Sequence, residues 1–305
     1  MTKQKLVMIG NGMAGLRTIE EILERSDSQF DITIIGKEPY PNYNRIMLSN
    51  ILQKKMTVEE TIMNPYEWYE ENNIQLIVND PVETVDRSAQ TVTTSKGVEV
   101  NYDICIFATG SSAFVLPIPG SDLPSVIGWR TIEDTERMIE IAKTKKKAVV
   151  IGGGLLGLEC ARGLMDQGME VTVLHLAEWL MEMQLDRKAG GMLKADLERQ
   201  GMNIELQANS KEIIGKDDVE AIKLADGRII ETDLVVMAVG IRPFTQVARD
   251  AGLEVNRGIV VNDYLQTSDP NIYAVGECSE HDGKVYGLVA PLYEQGKVLA
   301  DYLTG

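Results

Sequence analysis

The stretch LVMIGNGMAG at 6–15 decides the fold, because it occurs twice. Its second copy is AVVIGGGLLG at 148–157. In each, an apolar run ends in a G-x-G-x-x-G turn and a helical pattern begins at once. A strand that delivers glycines into a helix start is the context in which such a turn binds a dinucleotide. Each copy is followed by a second matching element, KGVEVNYDICIFATG at 96–110 and DGRIIETDLVVMAVG at 226–240. Gly97 and Gly227, Asp103 and Asp233, and Gly110 and Gly240 are all 130 residues apart. A single glycine turn is weak evidence. Two turns with matching distal elements imply two dinucleotide-binding units, and two such sites in one chain point to electron transfer from one cofactor to another.

Working outward from the first turn, Lys5–Ile9 reads as a buried strand, Met13–Arg25 as a helix and Asp31–Ile35 as a second strand. Residues 40–53 read as an irregular loop leading into a helical stretch, Pro65–Asn73 as a helix and Ile74–Val78 as a strand. Val82–Val100 alternates and turns at Lys96-Gly97, as an antiparallel meander does. Ile104–Ala108 is a buried strand. Ser111–Gly128, rich in Pro, Gly and Ser, reads as a linker, and Thr131–Lys147 as a helix. The cycle then repeats: strand to Ile151, turn, helix to Gly168, strand Val171–Leu174, helix Asp186–Gln200, meander, strand Leu234–Ala238. Ile241–Pro243 marks a second crossing. The tail holds a strand at Ile272–Val275, a turn at Gly276-Glu277 and a helix from Ala290-Pro291, so the chain is expected to return and complete the first unit. The expected fold class is α/β, with two Rossmann-like domains: 1–113 plus 244–305, and an inserted 114–243.

Composition excludes several functions. The 305 residues carry a net charge of −16 and are 44% hydrophobic. That acidity argues against nucleic acid, which needs clustered Lys and Arg. No run approaches the roughly 18 apolar residues of a membrane span. The first core strand begins directly after MTKQK, which predicts a cytoplasmic protein. Cys105, Cys160 and Cys278 are far apart and form no CxxC pair, so no metal site is expected. Cys105 and Cys160 read as core. Cys278 lies beside a candidate cofactor site.

At the first turn, Gly10, Gly12 and Gly15, with Met13 and Ala14 between them, should admit a pyrophosphate at a helix N-terminus. Glu38, after the second strand, is the candidate ribose ligand, and an ordinary surface carboxylate is the alternative. At the second turn the set is Gly152, Gly154, Leu155, Leu156 and Gly157, with Glu159 on the helix. His175 ends the next strand where Asp or Glu would mark an NAD site. No Arg stands near to hold a 2′-phosphate, so NADH is favoured weakly. A lone His there is otherwise a hydrogen-bonded structural residue.

The two turns, FATG at 107–110, MAVGIRP at 237–243 and TSDPNIYAVGE at 267–277 together resemble two-dinucleotide-domain flavoproteins of the ferredoxin reductase and NADH–rubredoxin reductase type. PNYNRIMLSN at 41–50 and YGLVAPLYEQGKVLA at 286–300 are similar to the flavoprotein part of NAD(P)H-dependent nitrite reductase large subunits. The resemblance implies FAD on the first domain and NAD(P)H on the inserted one. It implies that Arg45 meets the FAD, that Thr109 and Gly110 border it, and that Glu277 bonds the ribityl chain. Ala290 and Pro291 would place a helix N-terminus at the flavin. Val82, Ala108 and Gly276 complete the FAD set, and Val239 and Gly240 the NAD(P) set. Arg45 as a solvated loop charge and Glu277 as a capping carboxylate are the alternatives. Asn50 stands where many relatives carry Lys, and residues 40–53 lack the cysteine of disulfide and peroxide reductases.

The function so implied is hydride transfer from NAD(P)H to FAD, the two rings stacking, with no catalytic side chain required. Electrons then pass to a separate iron–sulfur or sirohaem centre or a small carrier. Relatives continue into a C-terminal interface domain and further redox centres that this sequence lacks, so it is expected to serve as an electron-input module that does not reduce nitrite alone. The alternatives are a stand-alone NADH:rubredoxin or ferredoxin reductase, a non-catalytic nucleotide sensor, and incidental oxidase or diaphorase activity.

Overall fold

A computed structural model describes residues 3–26 and 28–305. The chain divides into two compact units, Met1–Asn44 with Ile62–Ser111 and Arg242–Gly305, and Arg45–Thr61 with Ser112–Ile241.

The core of the first unit is a five-stranded parallel sheet in the order Ile272–Ala274, Ile104–Phe107, Gln4–Ile9, Phe30–Ile35, Gln75–Ile77. Its inner strands are apolar on both faces, as parallel strands covered on both sides must be. Leu6, Met8, Ile34, Ile106 and Phe107 are fully buried. The helix Met13–Arg25 packs on the C-terminal helix Val289–Thr304, where Gly296 lets Thr18 approach, and the Arg25–Asp301 ion pair at 2.6 Å spans the two. The return of the tail thus supplies both an edge strand and a covering helix.

The second unit repeats the plan: Val126–Gly128, Leu234–Met237, Lys147–Ile151, Glu170–His175, Asn203–Leu206, again all parallel. The position filled from the C-terminal tail in the first sheet is filled here by Val126–Gly128, which precedes the glycine turn. The stretch read as linker therefore ends in a strand. Three residues paired on one side are too short to show a period of two. Each unit carries a three-stranded antiparallel meander, at 82–101 and 210–231. The helix expected over Thr131–Lys147 is Ile132–Thr144, with Thr131 and Asp134 forming a reciprocal cap, and Lys147 begins the next strand.

The unit boundaries fall two residues before those read from sequence. Residues 45–61, expected with the first unit, group with the second. Their short helix Leu48–Leu52 lies on the helix Leu155–Asp166. A Cβ on Gly163 would sit 2.6 Å from Leu52, and Gln167 Nε2 donates to the Leu52 carbonyl at 2.7 Å. A glycine in mid-helix costs about 1 kcal/mol against alanine; this one is explained by the side chain seated over it.

Close packing of the second glycine-turn helix depends on Gly157, whose added Cβ would lie 1.9 Å from the Gly152 carbonyl oxygen. Gly157→Ala should destabilise the chain by about 1–3 kcal/mol or more, the cost of overpacking a rigid contact. Urea unfolding should show a lower midpoint with an unchanged slope.

Candidate functional site

In the first unit the three glycines of the turn serve three different needs. Gly10 has φ +115°, and a Cβ there would lie 2.2 Å from the Ala108 carbonyl oxygen. Gly15 lets the helix settle on the sheet, its Cβ position being 2.7 Å from Met8 Sδ and 2.9 Å from Ala108 Cβ. Gly12 faces open space, with nothing within 4 Å. The first helical hydrogen bond runs from Leu16 N to Gly12 O, so the N–H groups of Met13, Ala14 and Gly15 are left without a helical acceptor. The helix has no side-chain cap and no acidic residue in its first turn. Free N–H groups, the positive end of the helix dipole and an uncovered glycine make a site for a phosphate.

Of the other predicted residues, Gly276 meets this turn directly, and the rest are held as follows. Gly276, at φ +84°, would place a Cβ 3.0 Å from Ala14 Cβ, and its N–H is held by Gln295 at 2.9 Å. Glu277 accepts from Ser111 Oγ at 2.7 Å. Thr109 donates to the Phe244 carbonyl at 2.7 Å, and Gly110, at φ +65°, accepts from Phe244 N at 2.9 Å. Ala290 and Pro291 lie in the first turn of the helix Val289–Thr304, whose N-terminus has neither a side-chain cap nor an acidic residue. Glu38 accepts from Tyr43 Oη at 2.7 Å, and its carbonyl accepts from Asn79 N at 3.0 Å. Val82 is buried at the start of its strand. Arg45 belongs to the second unit, where it donates to the Arg130 carbonyl at 3.2 Å.

The second turn reproduces this geometry. Gly152 has φ +121°, with its Cβ position 2.3 Å from the Ala238 carbonyl oxygen, and Gly154 faces open space. Leu158 N bonds Gly154 O, which frees the N–H groups of Leu155, Leu156 and Gly157. This helix too has no side-chain cap and no acidic first turn. Leu155 and Leu156 are exposed. Gly240 has φ +114°, and its carbonyl accepts from Phe114 N, placing Val239-Gly240 at the mouth of the strand as Thr109-Gly110 are in the first unit.

The two turns differ by an exchange of bulk. Ile9 pairs with Ile35 and Ile151 with Leu174, so Gly36 and His175 hold equivalent places after the second strand. In the first unit Asn11 lies over Gly36, at 3.1 Å from its Cβ position. In the second, Gly153 lies under His175, whose Cγ is 2.7 Å from the corresponding point. Asn11 is fixed by Tyr69 Oη at 2.9 Å and by Asn42 Nδ2. His175 is buried. Its Nδ1 accepts from Gly153 N at 3.0 Å, and its Nε2 faces the Trp179 carbonyl and a Glu182 carboxylate oxygen, each at 3.0 Å. The acceptor role of Nδ1 puts the proton on Nε2. Asn11 and Gln295 escaped the sequence reading, although Asn11 sits inside the motif and Gln295 lies one turn beyond Pro291.

All three cysteines are buried, and burial pushes each thiol up, so they persist as thiols at neutral pH. Cys278 is enclosed, with Sγ 3.2 Å from the Val275 carbonyl. Among the described residues no group of His, Cys, Asp and Glu could hold a metal ion, and no helix is long and apolar enough to cross a membrane.

Fold and site together define a two-dinucleotide oxidoreductase. The chain belongs to the pyridine nucleotide-disulphide oxidoreductase family, whose model matches residues 4–296. It is 56% identical over its whole length to nitrite reductase [NAD(P)H] of Bacillus subtilis, and 48% identical to the assimilatory nitrate reductase electron transfer subunit of the same organism. It spans 38% and 40% of those proteins. A solved ferredoxin reductase from Rhodopseudomonas palustris superposes with a TM-score of 0.92 at 28% identity, covering 99% of this chain and 76% of that one. Fold and sequence thus agree on the family.

Glu159, on the second glycine-turn helix, is partly buried. Burial pushes its carboxyl up, and a hydrogen bond from Ser49 offsets part of that. A folded-state value raised above the usual 4.5 means a contribution to stability that is complete below about 4.5 and lost as pH rises through the folded value. Glu159→Gln should therefore melt with the wild type at pH 4 and above it at pH 8. Equal melting at both would show that the carboxylate is fully solvated.

Proposed function

We propose that this chain is the electron-input module of a nitrite reductase. FAD sits on the first unit and a nicotinamide dinucleotide on the second, and the electrons leave for a redox centre outside residues 1–305. One observation carries the pair of dinucleotide sites: both glycine turns keep an open middle glycine, Gly12 and Gly154, beneath an uncapped helix N-terminus; the assignment of FAD to the first unit follows the family resemblance. The whole-length similarity to the B. subtilis nitrite reductase supports the choice of acceptor. The similar electron transfer subunit supports a second reading, delivery to a separate nitrate-reducing partner. The nicotinamide donor suits a cytoplasmic setting.

When bound, the two cofactors supply the hydride chemistry. The protein's share is binding and orientation. The N–H groups of Met13, Ala14 and Gly15 would hold the FAD pyrophosphate, and those of Leu155, Leu156 and Gly157 that of the nicotinamide dinucleotide. Gly10 and Gly152 bring each turn against its neighbouring strand, so the phosphates meet backbone rather than side chains. Glu277, steadied by Ser111, offers a carboxylate to the hydroxyls of the ribityl chain. Ala290 and Pro291 present the positive end of a 16-residue helix, which favours negative charge on a reduced flavin.

A carboxylate at either middle glycine would occupy its phosphate position with like charge. Gly12→Glu should abolish retention of flavin. Gly154→Glu should retain flavin absorbance but slow its anaerobic bleaching by NADH at least about 100-fold, the order lost when one essential anion contact is replaced by repulsion. Bleaching at the wild-type rate would overturn the assignment of the second turn. Addition of purified sirohaem partner domain or nitrate-reducing partner would then separate the two acceptor readings.

A further inference from the structure

Lys37 follows the buried Gly36 at the end of the strand Phe30–Ile35, and its side chain is exposed. Its ammonium lies 5.7 Å from the centre of the Phe244 ring. Among the described residues it forms no ion pair, and the neighbouring carboxylate, Glu38, accepts from Tyr43. Phe244 is tied to a different strand of the same sheet. Its N–H donates to the Gly110 carbonyl at 2.9 Å, and its carbonyl accepts from Thr109 at 2.7 Å, so it stands at the carboxyl end of the strand Ile104–Phe107. The ring is 40% exposed, a large apolar group that the core does not enclose.

These two strands are not neighbours. The strand Gln4–Ile9, which delivers the first glycine turn, lies between them. Adjacent strands are about 4.8 Å apart, so the ends that carry Lys37 and Phe244 are about 10 Å apart. A lysine stem that leaves one end and meets a ring at the other must pass the end of the middle strand. Backbone fills the space beneath: Gly10 N bonds the Ile35 carbonyl and Ala108 N the Ile9 carbonyl, each at 2.8 Å. The stem therefore crosses on the solvent side, at the mouth of the turn.

A dinucleotide takes the same course, with its ribose at the end of the second strand and its pyrophosphate over the turn. The turn itself offers only backbone N–H groups, since Asn11, Met13 and Ala14 are neutral. The next cation along the helix, Arg17, is committed to Glu20 and Glu21.

We propose that Lys37 is a movable strap across the first crevice, its ammonium shared between the Phe244 ring and the phosphates of FAD, so that it slows release of the cofactor. The inference rests on the reading that the first glycine turn holds FAD. An aromatic face holds an exposed ammonium weakly, whereas a phosphate pairs with its full charge, so the exchange from ring to phosphate is favourable.

The test is the rate at which the FAD-loaded chain releases its cofactor, read as recovery of flavin fluorescence after dilution at low and at high salt. Lys37→Gln should release FAD about tenfold faster than the wild type at low salt, the order of one charge-assisted contact. The difference should shrink as salt rises, because the Debye length falls from about 10 Å at 0.1 M to about 3 Å at 1 M. Lys37→Arg, which keeps the charge and the reach, should release FAD near the wild-type rate. Phe244→Leu should speed release less than Lys37→Gln does, and should add little to it, because the two act through one contact. Lys37 is exposed, so its variants should unfold at the wild-type urea midpoint. Release from Lys37→Gln at the wild-type rate, equal acceleration by Lys37→Arg, or additive effects of the two substitutions overturns the strap. A wild type that retains no FAD overturns the reading of the first turn, and this inference with it.

Discussion

Everything else in both units hangs on one close approach. At Gly10 and Gly152 the backbone of the turn lies so near the carbonyl of Ala108 or Ala238 that a Cβ would stand 2.2–2.3 Å from oxygen. Only glycine fits, and only with φ near +115° to +121°. The approach draws the helix start onto the end of the neighbouring strand, so that the free N–H groups face the crevice at the carboxyl ends of the sheet. Without it the helix would begin farther out, and its dipole would not focus on one point.

The repeated unit is an instance of one backbone solution holding two side-chain arrangements. The space between the turn and the second strand must be filled once. The first unit fills it from the turn, with Asn11 over Gly36, and the second from the strand, with His175 over Gly153. The exchange leaves the glycine scaffold unaltered yet changes what each unit presents beyond its second strand. In the first unit that region offers Glu38, steadied by Tyr43. In the second it offers the loop of Trp179 and Glu182, held by the His175 ring. A duplicated architecture can thus serve two different dinucleotides, because recognition depends on side chains beyond the glycines.

Much of the fold was legible because its signals are local. An apolar run into G-x-G-x-x-G, followed by a helical period, needs no distant partner to be read, and the helix Met13–Arg25 lies where the pattern puts it. The return of the tail was readable because its strand and helix follow the end of the second cycle without starting a third. Residues 45–61 were not readable in this way. Their place on the helix Leu155–Asp166 rests on Leu52 meeting Gly163, more than a hundred residues away, and a lone mid-helix glycine does not announce its partner. The edge strand Val126–Gly128 was hidden for a related reason, since three residues bonded on one side are defined by the strand they join.

By itself, then, the sequence determined the number of dinucleotide-binding units, the places of their turns, and the α/β class, since glycine spacing and hydrophobic period are properties of the chain taken a few residues at a time. Only the tertiary structure decided which side chains hold the turn in place. His175 is the clearest case. In sequence it stands where a ribose ligand is expected; in the fold, both of its nitrogens are bonded to protein. Which way a ring points depends on every neighbour packed around it, and those neighbours come together only when the chain has folded.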